Sequence, residues 1–202
     1  VLSNHRYDKI EITGGGEPTL HPRIGDIIGF CADKSKTQMY TCGSNFRHVA
    51  NLENLDSLCL SIAHYNMEEN RRIMGVTPDI AFLKEIDAPI KFSLLLHKSG
   101  ISDKEEVMKY LEWARAYADK VVIRQLFEHN YRAGLDGEFV SSEELFRSMG
   151  VQEPKITPQG NPVFQTGGLE VEIEYRSCAC EMNNPVLHAD GQKYRGWSNE
   201  LI

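Results

Sequence analysis

The sequence predicts an α/β protein, a partial (β/α) TIM-like barrel of parallel strands with a β-hairpin-rich C-terminal extension. Short apolar segments typical of strands alternate with amphipathic segments of helical length over residues 9–127. Strands that are separated by helices pair in parallel. About five such units are visible, and 202 residues are too few for a complete eight-unit barrel, which needs about 250.

The strands and helices of the predicted barrel follow one another in regular order. Strands are predicted over residues 9–13, 38–42, 57–63, 90–97 and 121–127, and helical segments over 24–31, 45–52, 68–74, 78–87 and 102–119. Thr77 is the predicted N-cap of the fourth helical segment, with Pro78 at its first position. Ser102 and Glu105 form a predicted capping box for the longest helix.

The pattern changes after Phe127, where the chain becomes loop-like and then rich in hairpin signals. A short helix is predicted over 141–149, closed by Gly150. Gly167-Gly168 and Asp190-Gly191 predict two β-hairpins. We therefore expect a barrel domain at residues 1–130 and an extension at 131–202 that packs on it.

Composition and charge exclude several classes of protein. Hydrophobic residues make up 41% and charged residues 25%, as in ordinary globular domains. The net charge of −7 argues against a surface for nucleic acid or anionic membrane. No apolar run approaches the roughly 20 residues of a membrane span. Five cysteines without regular spacing do not form a disulfide framework, which favours a reducing cytoplasm.

A glycine-rich turn follows the first strand and is the candidate ligand site. Ile10 and Ile12 alternate with polar residues, and the strand continues into G-G-G-E-P-T-L-H-P, residues 14–22. Glycines at a strand end let a ligand lie against bare backbone. Glu17 is placed to bind a cationic group. The turn is neither a Walker loop nor a dinucleotide-binding turn, because the residues that define those motifs are absent.

Alternation along the strands predicts one polar sheet face. Apolar residues of the third and fourth strands fall at every second position, which leaves the other face to polar side chains. Strands buried on both faces normally read as continuous apolar runs. The polar face therefore indicates either a ligand site or an internal hydrogen-bond network, and its members are Glu11, Thr13, Ser61, Lys91, Ser93 and His97.

The glycine turn resembles the G-G-E motif of radical S-adenosylmethionine (SAM) enzymes. Four further segments are similar to later strands of that family: YTCGSN at 40–45, LCLSIAHYNMEENRRIMG at 58–75, IKFSLLLHKSGIS at 90–102 and VVIRQLF at 121–127. The fourth strand is similar to that of the molybdenum-cofactor biosynthesis protein A subgroup. The resemblance covers about residues 7–130. Cys42 replaces the usual Asn, and Ala63 replaces the usual acidic residue of S-x-D.

The resemblance implies a cofactor site and a reaction. The backbone of Gly15 and Gly16 and the carboxylate of Glu17 would hold the amino group of SAM, Ser61 and Lys91 would contact its carboxylate and ribose, and Thr41 would lie nearby. Residues 124–127 would lie beside the adenine. Such enzymes cleave SAM reductively to a 5′-deoxyadenosyl radical, which abstracts hydrogen from a small-molecule or peptide substrate. An electron donor such as flavodoxin or ferredoxin is implied.

The cysteines depart from the family pattern. Radical SAM enzymes hold a 4Fe–4S cluster with a C-x3-C-x2-C loop that precedes G-G-E, and no cysteine precedes Gly14 in this sequence. We expect those ligands upstream of Val1, so that this chain alone would be inactive. Cys178 and Cys180 would face the same side of a strand, and they are either half of an auxiliary cluster site or two unpaired thiols.

Two other functions fit the same residues. A non-catalytic barrel could bind SAM or a nucleotide without redox chemistry. An aldolase-like barrel could use Lys91 to form a Schiff base.

Overall fold

The computed structural model describes residues 7–14, 16–126, 136–175, 185–187 and 192–195. Within these ranges the chain forms an eight-stranded, mostly parallel sheet with helices against one face, a partial (β/α) barrel. The predicted fold class is therefore confirmed. The described residues contain no helix that is long and apolar enough to cross a membrane.

The first five strands pair in chain order and all run parallel. They are β1 (Lys9–Ile12), β2 (Lys36–Thr41), β3 (Ser57–Ser61), β4 (Ile90–Leu95) and β5 (Lys120–Arg124). Each lies within two or three residues of its predicted bounds. The parallel sheet places the C-terminal ends of all five strands along one edge, and loops at that edge commonly carry function.

The sixth parallel strand comes from the C-terminal part of the chain. The strand β7 (Pro162–Thr166) pairs antiparallel with both β6 (Lys155–Ile156) and β8 (Leu169–Glu174), and β8 pairs in parallel with β5. The predicted hairpin at Gly167-Gly168 is confirmed, because Thr166 pairs with Leu169 across it. The hairpin is thus hydrogen-bonded into the sheet itself. The division into domains at residue 130 stays a prediction.

A second hairpin lies outside this sheet. The strands β9 (Pro185–Leu187) and β10 (Lys193–Arg195) pair antiparallel, as the sequence predicts. The predicted turn at 190–191 falls outside the described residues, as do Cys178 and Cys180.

Within the described ranges, four α-helices connect the strands: α1 (Ile24–Ala32), α2 (Met67–Met74), α3 (Lys104–Ala114) and α4 (Ser142–Met149). The α4 prediction is confirmed, because Ser141 caps the helix through the amide of Glu144 and Gly150 ends it in the left-handed conformation. The α2 helix also ends at a left-handed glycine, Gly75, as predicted.

Two helix predictions are wrong in detail. The side chain that caps α3 is Asp103, which accepts from the amide of Glu106, because D-x-x-E fits the capping pattern one residue after S-x-x-E. The helix also ends earlier than predicted, since Asp119 accepts a hydrogen bond from the amide of Ile90 and belongs to the turn before β5. Residues 78–87 form only a 3-10 helix, Ala81–Glu85, in which Asp79 accepts from the amide of Phe82.

Two further 3-10 helices, Phe46–His48 and Leu52–Asn54, replace the helical stretch predicted at 45–52. A left-handed Asn51 separates them. Leu52–Asn54 packs against α1, and a third 3-10 helix, Pro18–Leu20, contacts both α1 and β2.

The two faces of the sheet differ as the alternation predicts. On the outer face of β3 and β4, apolar side chains are fully buried, and the hydroxyl of Tyr110 in α3 donates to the carbonyl of Ile62. Phe92 stacks on Trp113 of the same helix. On the inner face, the side chains of Ser61, Lys91 and Ser93 are only half-buried. The polar inner face is therefore the place to search for a site.

Candidate functional site

Glu17 organises the glycine turn through its own carboxylate. Its Oε1 accepts hydrogen bonds from the amide of Thr19 at 3.0 Å, the hydroxyl of Thr19 at 2.6 Å and the hydroxyl of Thr41 at 2.5 Å. Its Oε2 accepts from the amide of Cys42 at 2.7 Å. Glu17 thus caps the 3-10 helix Pro18–Leu20 and ties the turn to the end of β2. The thiol of Cys42 is a further hydrogen-bond partner of this carboxylate.

These contacts keep Glu17 charged. Burial by itself would raise the pKa of Glu17, but the hydrogen bonds from Cys42, Thr19 and Thr41 outweigh it and hold the pKa below its usual value of 4.5. A half-buried, ionised carboxylate at a strand end can bind an ammonium group. The geometry therefore suits the predicted role of Glu17.

Thr41 acts on the site through Glu17. Its side chain is buried, donates to Glu17 and accepts from the amide of Gly43 at 3.0 Å. Gly43 is left-handed, with φ of 76°, and a Cβ there would come within 3.0 Å of Leu60, Phe46 and Pro78. Only glycine suits this turn, which places Thr41 beneath the carboxylate.

The turn before Glu17 leaves open backbone. A Cβ added at Gly16 would meet no atom within 4 Å, and one at Gly14 would touch only the backbone of Gly16. A ligand could therefore approach the peptide groups here closely. Gly15, the remaining predicted contact, lies outside the described residues.

Ser61 lies at the C-terminal end of β3, at the same edge of the sheet. Its register partner on β4 is Ser93, and both side chains are half-buried on the inner face. The loop that follows is held by Asn70 of α2, a fully buried amide whose Oδ1 accepts from the amides of Ala63 at 2.8 Å and His64 at 3.3 Å. Asn70 thereby fixes the backbone just beyond Ser61.

Lys91 lies deeper than these residues. It precedes Ser93 by two positions and faces the same side, away from the C-terminal edge. Its Nζ donates to the amide oxygen of Gln38 at 3.1 Å. Among the described residues, Lys91 contacts neither Glu17 nor Ser61. The structure thus brings Gly16, Glu17 and Thr41 together and places Ser61 at their edge, but it separates Lys91 from them.

Several charged inner-face residues were not predicted as site residues. The β8 strand carries Glu170, Glu172 and Glu174 at alternate positions. Lys120 Nζ lies 2.9 Å from Glu170 and 2.8 Å from Glu172, and Arg124 Nε lies 2.6 Å from Glu174. The alternation in LEVEIE showed a charged face. The sequence pattern did not show that this charged face continues the polar face of the barrel, because β8 pairs with β5, a strand about fifty residues earlier in the chain.

Tyr40 and Cys59 also belong to the inner face, and neither was predicted as a site residue. They are register partners on β2 and β3. Burial, with the nearby carboxylate of Glu11, raises the pKa of Tyr40 to about 12, and burial raises the pKa of Cys59 to about 11. Both groups therefore stay protonated at neutral pH. The positive charge of Arg124 opposes both pKa shifts without reversing them.

His97 ends the polar face of β4 in a closed turn. A Cβ at Gly100 would lie 2.4 Å from its ring, and its buried Nε2 has no hydrogen-bond partner among the described residues. Burial lowers the pKa of His97, although Glu138 opposes this effect. The imidazole is therefore neutral at neutral pH and is covered by the turn.

The described cysteines do not form a metal site. Cys31 packs in the core, Cys59 lies on the inner face, and Cys42 sits beside Glu17. No group of three His, Cys, Asp or Glu side chains in the described ranges could hold a metal ion. These residues do not fit a 4Fe–4S cluster, which stays an expectation of the resemblance. The open glycine turn, the negative charge of Glu17 and the hydroxyl of Ser61 do fit SAM.

Comparisons with solved structures support the fold. The chain superposes on SuiB of Streptococcus suis bound to the precursor peptide SuiA with a TM-score of 0.57 and 18% identity, covering 70% of this chain and 34% of that chain. With SuiB bound to S-adenosylmethionine the TM-score is 0.56 at 19% identity, covering 70% of this chain and 35% of that chain. A domain of pyruvate-formate lyase-activating enzyme from Bacteroides vulgatus gives a TM-score of 0.54 at 16% identity, covering 69% of this chain and 89% of that chain.

TYW1 with a lysine-pyruvate adduct bound is a further structural neighbour, with a TM-score of 0.53 and 13% identity over 80% of this chain and 54% of that chain. No protein-family model and no curated protein matches the sequence. The chain spans about a third of the length of SuiB. At these identities the likeness concerns the fold, and this chain has the fold that these proteins share.

Proposed function

We propose that this chain is the SAM-binding part of a radical SAM enzyme. The observation that carries the proposal is the Glu17 carboxylate, which is ionised, half-buried and fixed by four hydrogen bonds beside a bare glycine turn. The sequence resemblance to the G-G-E motif covers the same residues. The structural neighbours are radical SAM enzymes, and one of them was solved with SAM bound.

Three residues would hold the cofactor. Glu17 Oε2 would accept from the amino group of the methionine end, the peptide of Gly16 would line the same end, and the hydroxyl of Ser61 would contact the carboxylate or ribose. Thr41 would hold Glu17 in place from beneath. The structure gives Lys91 no direct contact with these residues, and its contact with the carboxylate or ribose stays a prediction of the resemblance.

Bound SAM, with a reduced 4Fe–4S cluster, supplies a 5′-deoxyadenosyl radical in the resembling enzymes. The part of this chain would be to orient the cofactor and to exclude water from it. The substrate would be a small molecule or a peptide, and SuiB was solved with a precursor peptide bound. An electron donor such as flavodoxin or ferredoxin would reduce the whole enzyme, which we propose to be cytoplasmic and of the activating or oxidoreductase type.

The test is calorimetric titration of SAM into the wild-type chain and Glu17→Gln. The glutamine keeps an acceptor for Thr19 and Thr41 but loses the negative charge and one acceptor oxygen. Because a hydrogen bond to a charged group is worth roughly 1.5–3 kcal/mol, we expect the affinity for SAM to fall about ten- to a hundredfold.

Thr41→Val is the matched control, because it loosens the same carboxylate without touching the ligand. Its effect on SAM affinity should be smaller than that of Glu17→Gln, with circular dichroism confirming that both variants are folded. Equal affinity of Glu17→Gln and the wild-type chain for SAM would contradict the assignment. Anaerobic iron–sulfide reconstitution of the whole protein then distinguishes the two functions. A radical SAM enzyme should bind a cluster and turn brown, whereas a barrel that only binds SAM should stay colourless.

A further inference from the structure

His64 lies in the β3–α2 loop, residues 62–66, and serves there as a hydrogen-bond acceptor. Its Nδ1 accepts from the amide of Asn66 at 2.9 Å. Asn66 is the N-cap of α2, and its own side chain accepts from the amides of Glu68 and Glu69. An imidazole nitrogen accepts a hydrogen bond only while it carries no proton. The connection between the β3–α2 loop and the start of α2 therefore requires a neutral His64.

His97, two residues beyond the end of β4, is held in the neutral form by enclosure. A Cβ at Gly100 would lie 2.5 Å from its Nε2, and this buried nitrogen has no hydrogen-bond partner among the described residues. Its Nδ1 lies 3.8 Å from the carboxylate of Glu138, which also accepts from the amide of Ser99 at 2.7 Å. Protonation would fix an N–H at Nε2, where no acceptor is present, and a buried unpaired donor is costly.

Arg72 of α2 connects the surroundings of the two histidines. Its Nε pairs with Glu69 at 2.8 Å, and a terminal nitrogen of the guanidinium donates to the carbonyl of Ser99 at 2.7 Å. The helix that begins after His64 is thus tied to the turn that encloses His97. A change at either ring can therefore reach the other through α2.

Charged groups around both rings modify the effect of burial without reversing it. Burial lowers the pKa of His64 and of His97, the nearby carboxylates oppose this effect, and the guanidinium adds to it. The charged and titratable neighbours are Glu106, Glu69 and Arg72 for His64, and Glu138, Arg72 and His64 for His97. A proton on His64 would also place a positive charge at the N-terminus of α2, which the helix dipole disfavours.

We propose that His64 and His97 form a pH-sensitive switch that loosens the β3–α2 loop on acidification. At neutral pH both rings are uncharged, and α2 is held to the loop and to the turn at His97. On protonation, His64 can no longer accept from the amide of Asn66, and His97 leaves its enclosed position to reach a partner for Nε2. The loop begins directly after Ser61, so its release displaces a residue of the proposed cofactor site.

The direction of the pH effect follows from the lowered pKa values. A histidine whose pKa is lowered in the folded state contributes stability above its ordinary value of 6.5. This contribution is lost as the pH falls below 6.5 toward the lowered pKa of the folded state. Glu17 stays charged over this range, because its own pKa is held below 4.5. The switch therefore acts at mildly acidic pH, before the glycine turn is affected.

Hydrogen exchange of the 202-residue chain tests the switch. Protection factors, which correct for the intrinsic pH dependence of exchange, are measured at about pH 7.5 and about pH 5.5, on either side of the histidine titration. Those of residues 62–70 and 97–101 should fall about fivefold on acidification, as the loss of one neutral hydrogen bond predicts. Those of β2 should not change.

The His64→Asn/His97→Asn double variant separates titration from packing. Asparagine offers an acceptor near the position of Nδ1 and has no titratable group. Protection in the double variant should therefore be equal at the two pH values, whatever its absolute level. His48→Asn is the matched control, because His48 is an exposed histidine of the 3-10 helix Phe46–His48, and it should behave as the wild type.

Three results would overturn the switch. One is a fall in protection that is uniform over the whole sheet, and another is a fall that persists in the folded double variant. The third is an NMR titration of the wild-type chain in which the ring of His64 or His97 titrates at or above 6.5, a measurement that requires no variant to fold.

The effect of the switch on SAM rests on the proposed function. Calorimetry should show that the affinity of the wild-type chain for SAM falls at about pH 5.5 and that the affinity of the double variant does not. Equal affinities of the wild type at both pH values would overturn the connection to the cofactor site. If the chain binds no SAM at either pH, the proposed function fails, and the exchange measurements still decide whether the switch exists.

Discussion

At the scale of single residues, Glu17 serves two purposes at once. The sequence predicts it as a ligand-binding carboxylate, and the structure shows the same carboxylate as the N-cap of the next turn and as a tie to β2. The second purpose could not be read from the sequence, because Thr41 and Cys42 lie more than twenty residues away. Local motifs predict which residue is special, whereas its partners depend on how distant segments meet.

The pH dependence of stability should report on Glu17. A carboxyl whose pKa is lowered in the folded state stabilises the protein above the unfolded value of 4.5, and this contribution is lost as the pH falls through the lowered folded pKa. Glu17→Gln should therefore be less stable than the wild type at neutral pH, by roughly 1.5–3 kcal/mol for the charged hydrogen bond to Cys42.

The difference in the free energy of unfolding between the wild type and Glu17→Gln should shrink progressively below pH 4.5. Urea unfolding of both proteins at a series of pH values measures it. A gap that stays constant from neutral to acid pH would show that the variant acts through packing rather than through the charge.

At the scale of elements, capping and turn residues predicted the short helices well. Both α2 and α4 end at the glycines that the sequence indicates. The failure at residues 78–87 concerns the type of helix, because Asp79 accepts from the amide of Phe82 and Leu83 is buried, yet the segment forms a 3-10 helix. Tertiary contacts there outweigh local preference. Asn70, a polar residue within a predicted helix, had no sequence signal for its role.

We expect Asn70→Leu to destabilise the protein by roughly 2–4 kcal/mol, because the amides of Ala63 and His64 lose their shared acceptor. Asn66→Ala is the control on the same helix, since Asn66 caps α2 at an exposed position and should cost only about 1 kcal/mol. Chemical denaturation gives both values. Similar losses in the two variants would mean that Asn70 adds nothing beyond the helix that carries it.

At the scale of the whole molecule, the fold class was predictable because alternation and helix length are local patterns. The pairing of β5 with β8, which connects the barrel to the extension, could not be predicted. The two strands are about fifty residues apart, so their pairing leaves no local signal. The charges of the two strands agree with the pairing after the fact, since Lys120 and Arg124 meet Glu170, Glu172 and Glu174 across it. The polar inner face therefore continues without interruption into a segment that the sequence assigned to an accessory extension.

This continuity predicts that the hairpin unfolds together with the barrel. Ile173 of β8 is fully buried in the same core as the outer-face residues of β4 and β5, so Ile173→Ala should lower the global stability by about 2–4 kcal/mol. Ile156→Ala on β6, at a residue that is 62% exposed, should change it by less than about 0.5 kcal/mol. Hydrogen exchange followed by mass spectrometry reports where the loss appears. If the hairpin and the barrel unfold as one cooperative unit, Ile173→Ala speeds the slowest amide exchange in β4 and β5 as much as in β8. If the hairpin belongs to a separate domain, the barrel amides keep their wild-type protection.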